Sequence, residues 1–132
     1  MVRTIQRCVD MAIFPALFAF TPIPGTALEN QAQPQIARYR RIQTARHLIL
    51  HRISRYEDMS FNENGLITDF RIGRKRLIEI IRKGEPFLTS GCPGCNRPFY
   101  NEKPGGPIYN FPRELTSTEL STAKKELSLE RK

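Results

Sequence analysis

The residues best placed to do chemistry in this chain are Cys92 and Cys95, within Gly91-Cys92-Pro93-Gly94-Cys95-Asn96-Arg97-Pro98. A C-x2-C turn brings two sulfurs to one point, and its proline and glycine let backbone amides face them, which favours thiolate and bound metal alike. Iron–sulfur clusters and structural zinc both use such knuckles, and both normally take four ligands. Only one other cysteine exists, Cys8. His47 and His51 stand four apart and so share one face of a helix, a spacing able to hold a metal. With the knuckle they could complete a tetrahedral zinc site, although H-x3-H ahead of C-x2-C reverses the zinc-finger order. They can equally be surface residues of a basic helix. The knuckle itself has two further readings, a structural turn and a thioredoxin-like redox pair. The redox reading is weakened because the motif follows a loop and not a strand entering a helix.

The elements that must position these residues follow from periodicity. Val2, Ile5, Val9, Ala12 and Ile13 recur at three- and four-residue spacing, which predicts an amphipathic helix over 2–13. Cys8 lies beside its apolar face, as a small buried hydrophobe or as a weak third-ligand candidate. Pro15 ends that helix, and Ala16-Leu17-Phe18-Ala19-Phe20, apolar on both alternating faces, predicts a strand covered on both sides, as in parallel α/β sheets. At its C-terminal end comes the rigid turn Thr21-Pro22-Ile23-Pro24-Gly25-Thr26, in the place where α/β folds put ligand contacts. A second helix runs from Pro34 to about Arg55 on the stripe Ile36, Tyr39, Ile42, Ala45, Ile49 and Ile53. Beyond it lie a turn at Asn64-Gly65 and a short extended piece at Leu66–Phe70. The helix predicted over 74–83 has Leu77, Ile78 and Ile81 as its apolar face and Gly84 as a left-handed stop. Residues 98–112 mix aromatics, amides and turn residues without period, and read as a lid over a site or as an ordered surface loop. The tail from Thr116 reads as a polar, frayed helix.

Composition bounds the rest. The chain has 132 residues, too few for a whole barrel of about 200 residues or more. It is 39% hydrophobic and 26% charged, as a globular domain is, and its ten prolines and eight glycines predict much irregular chain. Its net charge of +8, from 21 Lys and Arg against 13 Asp and Glu, suits an acidic partner or simply solvated helix faces. No RNP-type aromatic pattern and no finger spacing accompany it, which argues against nucleic acid. Arg3 and Arg7 before the apolar run 11–20 imitate a signal peptide, but Asp10 and Pro15 spoil the imitation. Two closely spaced cysteines suit a reducing compartment, so a cytoplasmic location is expected. No apolar stretch reaches the ~20 residues that span a bilayer, so no membrane association is expected.

Two stretches carry a resemblance. Thr89-Ser90-Gly91-Cys92-Pro93-Gly94-Cys95-Asn96-Arg97-Pro98-Phe99-Tyr100-Asn101-Glu102, continued by Tyr109-Asn110-Phe111-Pro112-Arg113, resembles the C-terminal signature of radical S-adenosylmethionine (SAM) proteins similar to biotin synthase. Phe20-Thr21-Pro22-Ile23-Pro24-Gly25-Thr26-Ala27-Leu28-Glu29, followed by Arg40-Arg41-Ile42-Gln43, resembles a late barrel strand and helix of that group. Within it, archaeal-type two-component lipoyl synthases, which insert sulfur into a protein-bound octanoyl chain, are the subgroup most similar.

The resemblance implies an α/β fold: a partial β/α (TIM-type) barrel end over 1–57, a loop-rich C-terminal extension with the metal knuckle over 58–113, and a polar helical tail over 114–132. It implies a 4Fe-4S cluster at Cys92 and Cys95, with SAM contacted by Pro22, Ile23, Pro24, Gly25 and Thr26. The family's C-x3-C-x2-C triad, which holds the SAM-binding cluster, is absent. Without it nothing in the chain delivers the electron that cleaves SAM, since side chains do no such one-electron chemistry. The expected partner is therefore a chain or missing N-terminal half carrying that triad, with an acidic lipoyl-type carrier protein as the source of substrate. A single buried strand needs neighbours on both sides, so the chain by itself is expected to fold poorly. Two alternatives remain, a small zinc-stabilised basic binding protein and an exported protein whose cysteines form a disulfide.

Overall fold

The computed structural model describes residues 1–90, 102 and 105–127. In chain order these form α1 (Val2–Asp10), α2 (Ile36–Leu50), β1 (Ser60–Phe61), β2 (Ile67–Asp69), α3 (Arg74–Arg82) and α4 (Ser117–Leu127), with single 3-10 turns at Tyr56–Asp58 and Glu85–Phe87. α2 is the hub, packed against α1, α4, β2 and the turn Glu85–Phe87. Its buried Tyr39, Ala45, Leu48 and Ile49 meet Val2 and Ile5 of α1, Ala123 and Leu127 of α4, and Phe70, Phe87 and Phe111 from the connecting segments in one core. β1 and β2 pair antiparallel around Asn62–Leu66, where the Asn62 side chain accepts from the amides of Asn64 and Leu66 and Gly65 supplies φ +68°.

Both long N-terminal helices stop sooner than their apolar periodicity predicts, and by the same device. After α1 the Ala12 amide donates to the Val9 carbonyl (3.0 Å) and the Ile13 amide to that of Cys8 (2.8 Å). After α2 the Arg52 amide donates to Ile49 (3.0 Å) and the Ile53 amide to Leu48 (2.8 Å). These paired bonds satisfy the last orphan carbonyls only if the intervening residue is left-handed, a place usually given to glycine. Here it is taken by Ala12 (φ 59°) and Arg52 (φ 54°). α1 therefore ends at Asp10 and not at Ile13, and α2 at Leu50 and not near Arg55. After α3, Gly84 does occupy the left-handed position, at φ 74°. α4 opens on a reciprocal cap, in which the Glu119 amide donates to Thr116 Oγ1 (3.3 Å) and the Thr116 amide to Glu119 Oε2 (2.8 Å).

Three expectations are corrected. Ala16–Phe20 pairs with no strand among the described residues. Leu17 and Ala19 are buried, whereas Phe18 on the opposite side is 47% exposed, so this stretch is covered on one face only. Ile78, assigned to the apolar face of α3, points outward, because Leu77 and Ile81 alone make the buried contact. The C-terminal helix is no frayed tail, since it buries Ala123 and Leu127 against α2.

The basic residues of α2 are likewise not all solvated. Arg40 is 1% exposed. Its guanidinium donates to Glu126 Oε2 (2.9 Å), Gln43 Oε1 (2.9 Å) and the carbonyls of Tyr109 (2.5 Å) and Ile108 (2.6 Å). The rings of Phe87 and Phe111 flank it, each with its centroid 5.4 Å away. Beside it, Arg41 donates to the carbonyls of Leu127 (3.1 Å) and Ile67 (2.8 Å), tying α4 and β2 to the same helix. Taking a guanidinium out of water costs several kcal/mol, which is offset only when every N–H finds an acceptor. Truncating it strands those acceptors, so Arg40→Ala should lower unfolding free energy by about 3 kcal/mol or more in urea titrations. Arg40→Lys should recover only part of the loss, because an ammonium cannot reproduce the planar fork that spans two adjacent carbonyls.

Candidate functional site

Cys92 and Cys95 lie outside the described residues; Ser90 and Glu102, on either side of them in sequence, are described. On the upstream side Ser90 is buried. Its hydroxyl accepts from the Leu17 amide (2.7 Å) and lies 3.5 Å from the Leu17 carbonyl, an intimate main-chain contact across 73 positions of sequence. Two residues earlier, Leu88 forms a parallel bridge with Phe111: the Phe111 amide donates to Phe87 O and the Thr89 amide to Phe111 O, both at 2.9 Å.

On the downstream side the carboxylate of Glu102 accepts from the amides of Tyr109 (3.0 Å) and Asn110 (2.7 Å) and from Asn110 Nδ2 (3.1 Å). Burial pushes its pKa upward, against the pull of those three donors and of nearby Arg40. The Asn110 side chain continues to the Tyr39 hydroxyl (3.1 Å) and to Gln43 Nε2 (3.2 Å), and Gln43 also donates to the Tyr109 carbonyl (2.7 Å). Burial drives the Tyr39 phenol up to about 12, so it stays protonated and serves this network as a neutral hydroxyl. Tyr109 stands edge-on to Tyr39 and donates its own hydroxyl to the Pro34 carbonyl (2.7 Å), just ahead of α2. Ser90 thus contacts the 16–20 stretch, and the half-buried Glu102 reaches α2 through Asn110.

The turn Pro22–Thr26 is exposed apart from a half-buried Pro22. Thr26 closes it, donating from its hydroxyl to the Ile23 carbonyl (2.8 Å). Gly25 is left-handed (φ 79°), and a Cβ there would meet nothing within 4 Å among the described residues. Its amide donates to Glu29 Oε2 (2.7 Å). Leu17, bonded to Ser90, lies on the stretch that leads directly into this turn. The two candidate sites therefore share one supporting segment.

His47 and His51 do share a face, with ring centroids 4.3 Å apart. His47 Nε2 lies 3.9 Å from Glu85 Oε2. Tetrahedral zinc at ~2.0 Å from each of two ligands holds them roughly 3.3 Å apart, closer than this pair stands. Among the described residues no three His, Cys, Asp or Glu side chains gather to hold a metal ion. Cys8 is a free, half-buried thiol on α1. The donor chemistry of Cys92 and Cys95 suits an iron–sulfur cluster or zinc in kind, and supplies two of the usual four ligands. A separate polar cleft of about 420 Å³, lined by Gln6, Asp10, Arg52, Arg55 and Asp58 among others, contains none of the predicted site residues. No helix among the described residues is long and apolar enough to cross a membrane.

No protein-family model, curated protein or solved structure matches the chain. The structure joins Glu102, Asn110, Tyr39 and Gln43 in one hydrogen-bonded network and Ser90 to Leu17, pairings that the sequence did not indicate although Ser90, Glu102, Asn110 and Gln43 stand in the stretches quoted for the resemblance.

His47 makes the site region sensitive to acid. Burial, and then the neighbouring His51, hold its pKa near 4, below the ordinary 6.5, with Arg46 and Lys83 acting the same way and Glu85 opposing them. The folded state keeps this imidazole neutral while the unfolded chain protonates at its ordinary value. The stability it contributes is complete above pH 6.5 and drains away as pH falls from 6.5 toward 4. Urea midpoints measured across that window should fall more steeply for the wild type than for His47→Gln; equal slopes would show that His47 titrates as a solvated residue.

Proposed function

We propose that this chain is the C-terminal part of a radical SAM iron–sulfur protein of the sulfur-inserting, lipoyl- or biotin-synthase-like kind. In this reading residues 1–57 are the last β/α units of a barrel, and Cys92 and Cys95 hold a cluster on its C-terminal extension. The observation that supports it is the bond from Ser90, two residues before Cys92, to Leu17, on the stretch that leads into Pro22–Thr26. A knuckle for a cluster and a turn for a small-molecule cofactor belong on one rim if both serve one reaction, and a contact between the chain just before the one and the stretch leading into the other supports that reading.

The extended 16–20 stretch supports the barrel half of the reading. It buries Leu17 and Ala19 on one side, leaves Phe18 exposed on the other, and finds no strand partner among the described residues. Arg46 Nη2, on the helix that follows, is buried without a hydrogen-bond acceptor among them, while its Nε holds the Pro15 carbonyl at 2.7 Å. An extended edge with an unused donor beside it suits a neighbouring strand that brings carbonyl oxygens.

A bound iron–sulfur cluster would supply the one-electron and sulfide chemistry that side chains lack. The chain's own contributions are thiolates from Cys92 and Cys95, a backbone surface at Pro22–Thr26 for SAM, and a Gly25 face clear enough for close approach. The partner is a chain or N-terminal half bearing C-x3-C-x2-C, in a reducing, cytoplasmic setting, with an acidic lipoyl-type carrier delivering substrate to a protein of net charge +8.

Anaerobic reconstitution with iron and sulfide tests this. Wild type should retain both, and Cys92→Ser/Cys95→Ser should lose them. One zinc per chain without labile sulfide would favour a zinc-stabilised binding protein instead. The reconstituted chain alone, given dithionite and SAM, should form no 5′-deoxyadenosine; several turnovers without another protein would refute the reading.

A further inference from the structure

Half of the chain's net charge of +8 sits on ten residues, since between Arg74 and Lys83 five cations meet one carboxylate, Glu79. On α2 the arginines turn inward to carbonyl oxygens; the cations of α3 do not. Arg74, Lys75, Arg76, Arg82 and Lys83 are all exposed. Among the described residues none of the five makes an ion pair, with Glu79 or with any other carboxylate.

The placement of these charges does not serve the helix itself. A helix N-terminus is already positive, so carboxylates stabilise the first turn and cations the last. α3 begins with Arg74, Lys75 and Arg76, has no acidic residue in its first turn and gains no side-chain cap from Gly73. Local stability therefore does not account for them, whereas a negative partner outside the chain would. Four-residue spacing sets Arg74, Ile78 and Arg82 in one row on the solvent side, with Lys75 beside it. Ile78, in the middle of that row, is 42% exposed, while Leu77 and Ile81 take the buried contact.

A lone exposed isoleucine is ordinary. One bracketed by cations has the make-up of a protein interface, apolar at its centre and polar at its rim. Nucleic acid fits this face less well. Surfaces that bind single strands interleave cations with aromatic rings on which bases stack, and residues 71–83 contain no aromatic side chain. Phosphate would also leave the isoleucine wet, whereas an apolar side chain from a protein would cover it. We propose that the exposed face of α3 is a docking surface for an acidic protein segment, whose carboxylates meet Arg74, Lys75 and Arg82 and whose apolar side chain covers Ile78. The inference does not rest on the metal reading of the cysteines, and either can fail without the other.

Fluorescence anisotropy tests this on the full-length chain with three labelled probes: a helical peptide of glutamates around a leucine stripe, the same peptide with serine for leucine, and a single-stranded DNA of equal charge. Wild type should bind the leucine peptide more tightly than the other two, and less tightly as salt is raised. Arg74→Gln/Arg82→Gln should lower that affinity roughly tenfold, the combined effect of two modest exposed ion pairs. Arg7→Gln/Lys124→Gln, which removes the same charge from exposed positions on α1 and α4, should lower it less than about twofold. Ile78→Ser should bring the leucine peptide down to the level of the serine peptide and leave the serine peptide's affinity as it was. All these substitutions change exposed side chains, so the fold is kept. Equal losses from the two double variants would make binding a matter of net charge and overturn the inference. DNA bound as tightly as the leucine peptide, with no response to Ile78→Ser, would make the face a nucleic-acid surface and overturn it as well. So would a wild type that binds none of the probes.

Discussion

The guanidinium of Arg40 is a full positive charge placed where the core should be, between two phenylalanine rings and beneath two backbone carbonyls. The rest of the structure depends on it because its partners come from three separate parts of the chain. Gln43 lies on its own helix, Ile108 and Tyr109 on the segment returning from the knuckle, and Glu126 on α4. An apolar side chain of similar volume could fill the space, but it would not distinguish one backbone register of 108–109 from another. The fork does so, since its N–H groups meet adjacent carbonyls at fixed spacing. Fixing that register also brings the Tyr109 and Asn110 amides to the Glu102 carboxylate, so the place of that carboxylate is set by a charge buried one layer below it.

Arg40, Arg41 and Arg46 also change the meaning of the chain's basicity. All three sit on the stretch 38–55 that looks, in sequence, like a solvated basic face, and all three make inward contacts to main-chain carbonyls. Much of the positive charge on α2 is therefore structural glue. α3, by contrast, presents Arg74, Lys75, Arg76 and Arg82 to solvent.

What could be read from the sequence was whatever depends on period and on glycine. The α2 stripe of Tyr39, Ala45 and Ile49, the α3 pair Leu77 and Ile81, and the stop at Gly84 follow from spacing and stereochemistry alone, and the structure has them. The stops after α1 and α2 were hidden because Ala12 and Arg52 take a conformation that carries no glycine signal. Arg40 was hidden because a charged residue at a helical position reads as the polar face until its acceptors, 68 and 69 positions away, are known. Phe18 shows the opposite error. An unbroken apolar run reads as buried on both sides, although burial is decided by what lies alongside and not by the run itself.

That half-covered run has a consequence for how the protein can be made. Exposed phenylalanine beside main-chain groups that pair with no strand among the described residues is adhesive toward any similar edge, including the same edge on another copy. Adhesion between like copies grows with the square of their concentration, whereas capture by a proper neighbour grows with the supply of that neighbour. Any neighbour that covers this edge would therefore compete with self-association, and the outcome would turn on its supply relative to the chain's own concentration.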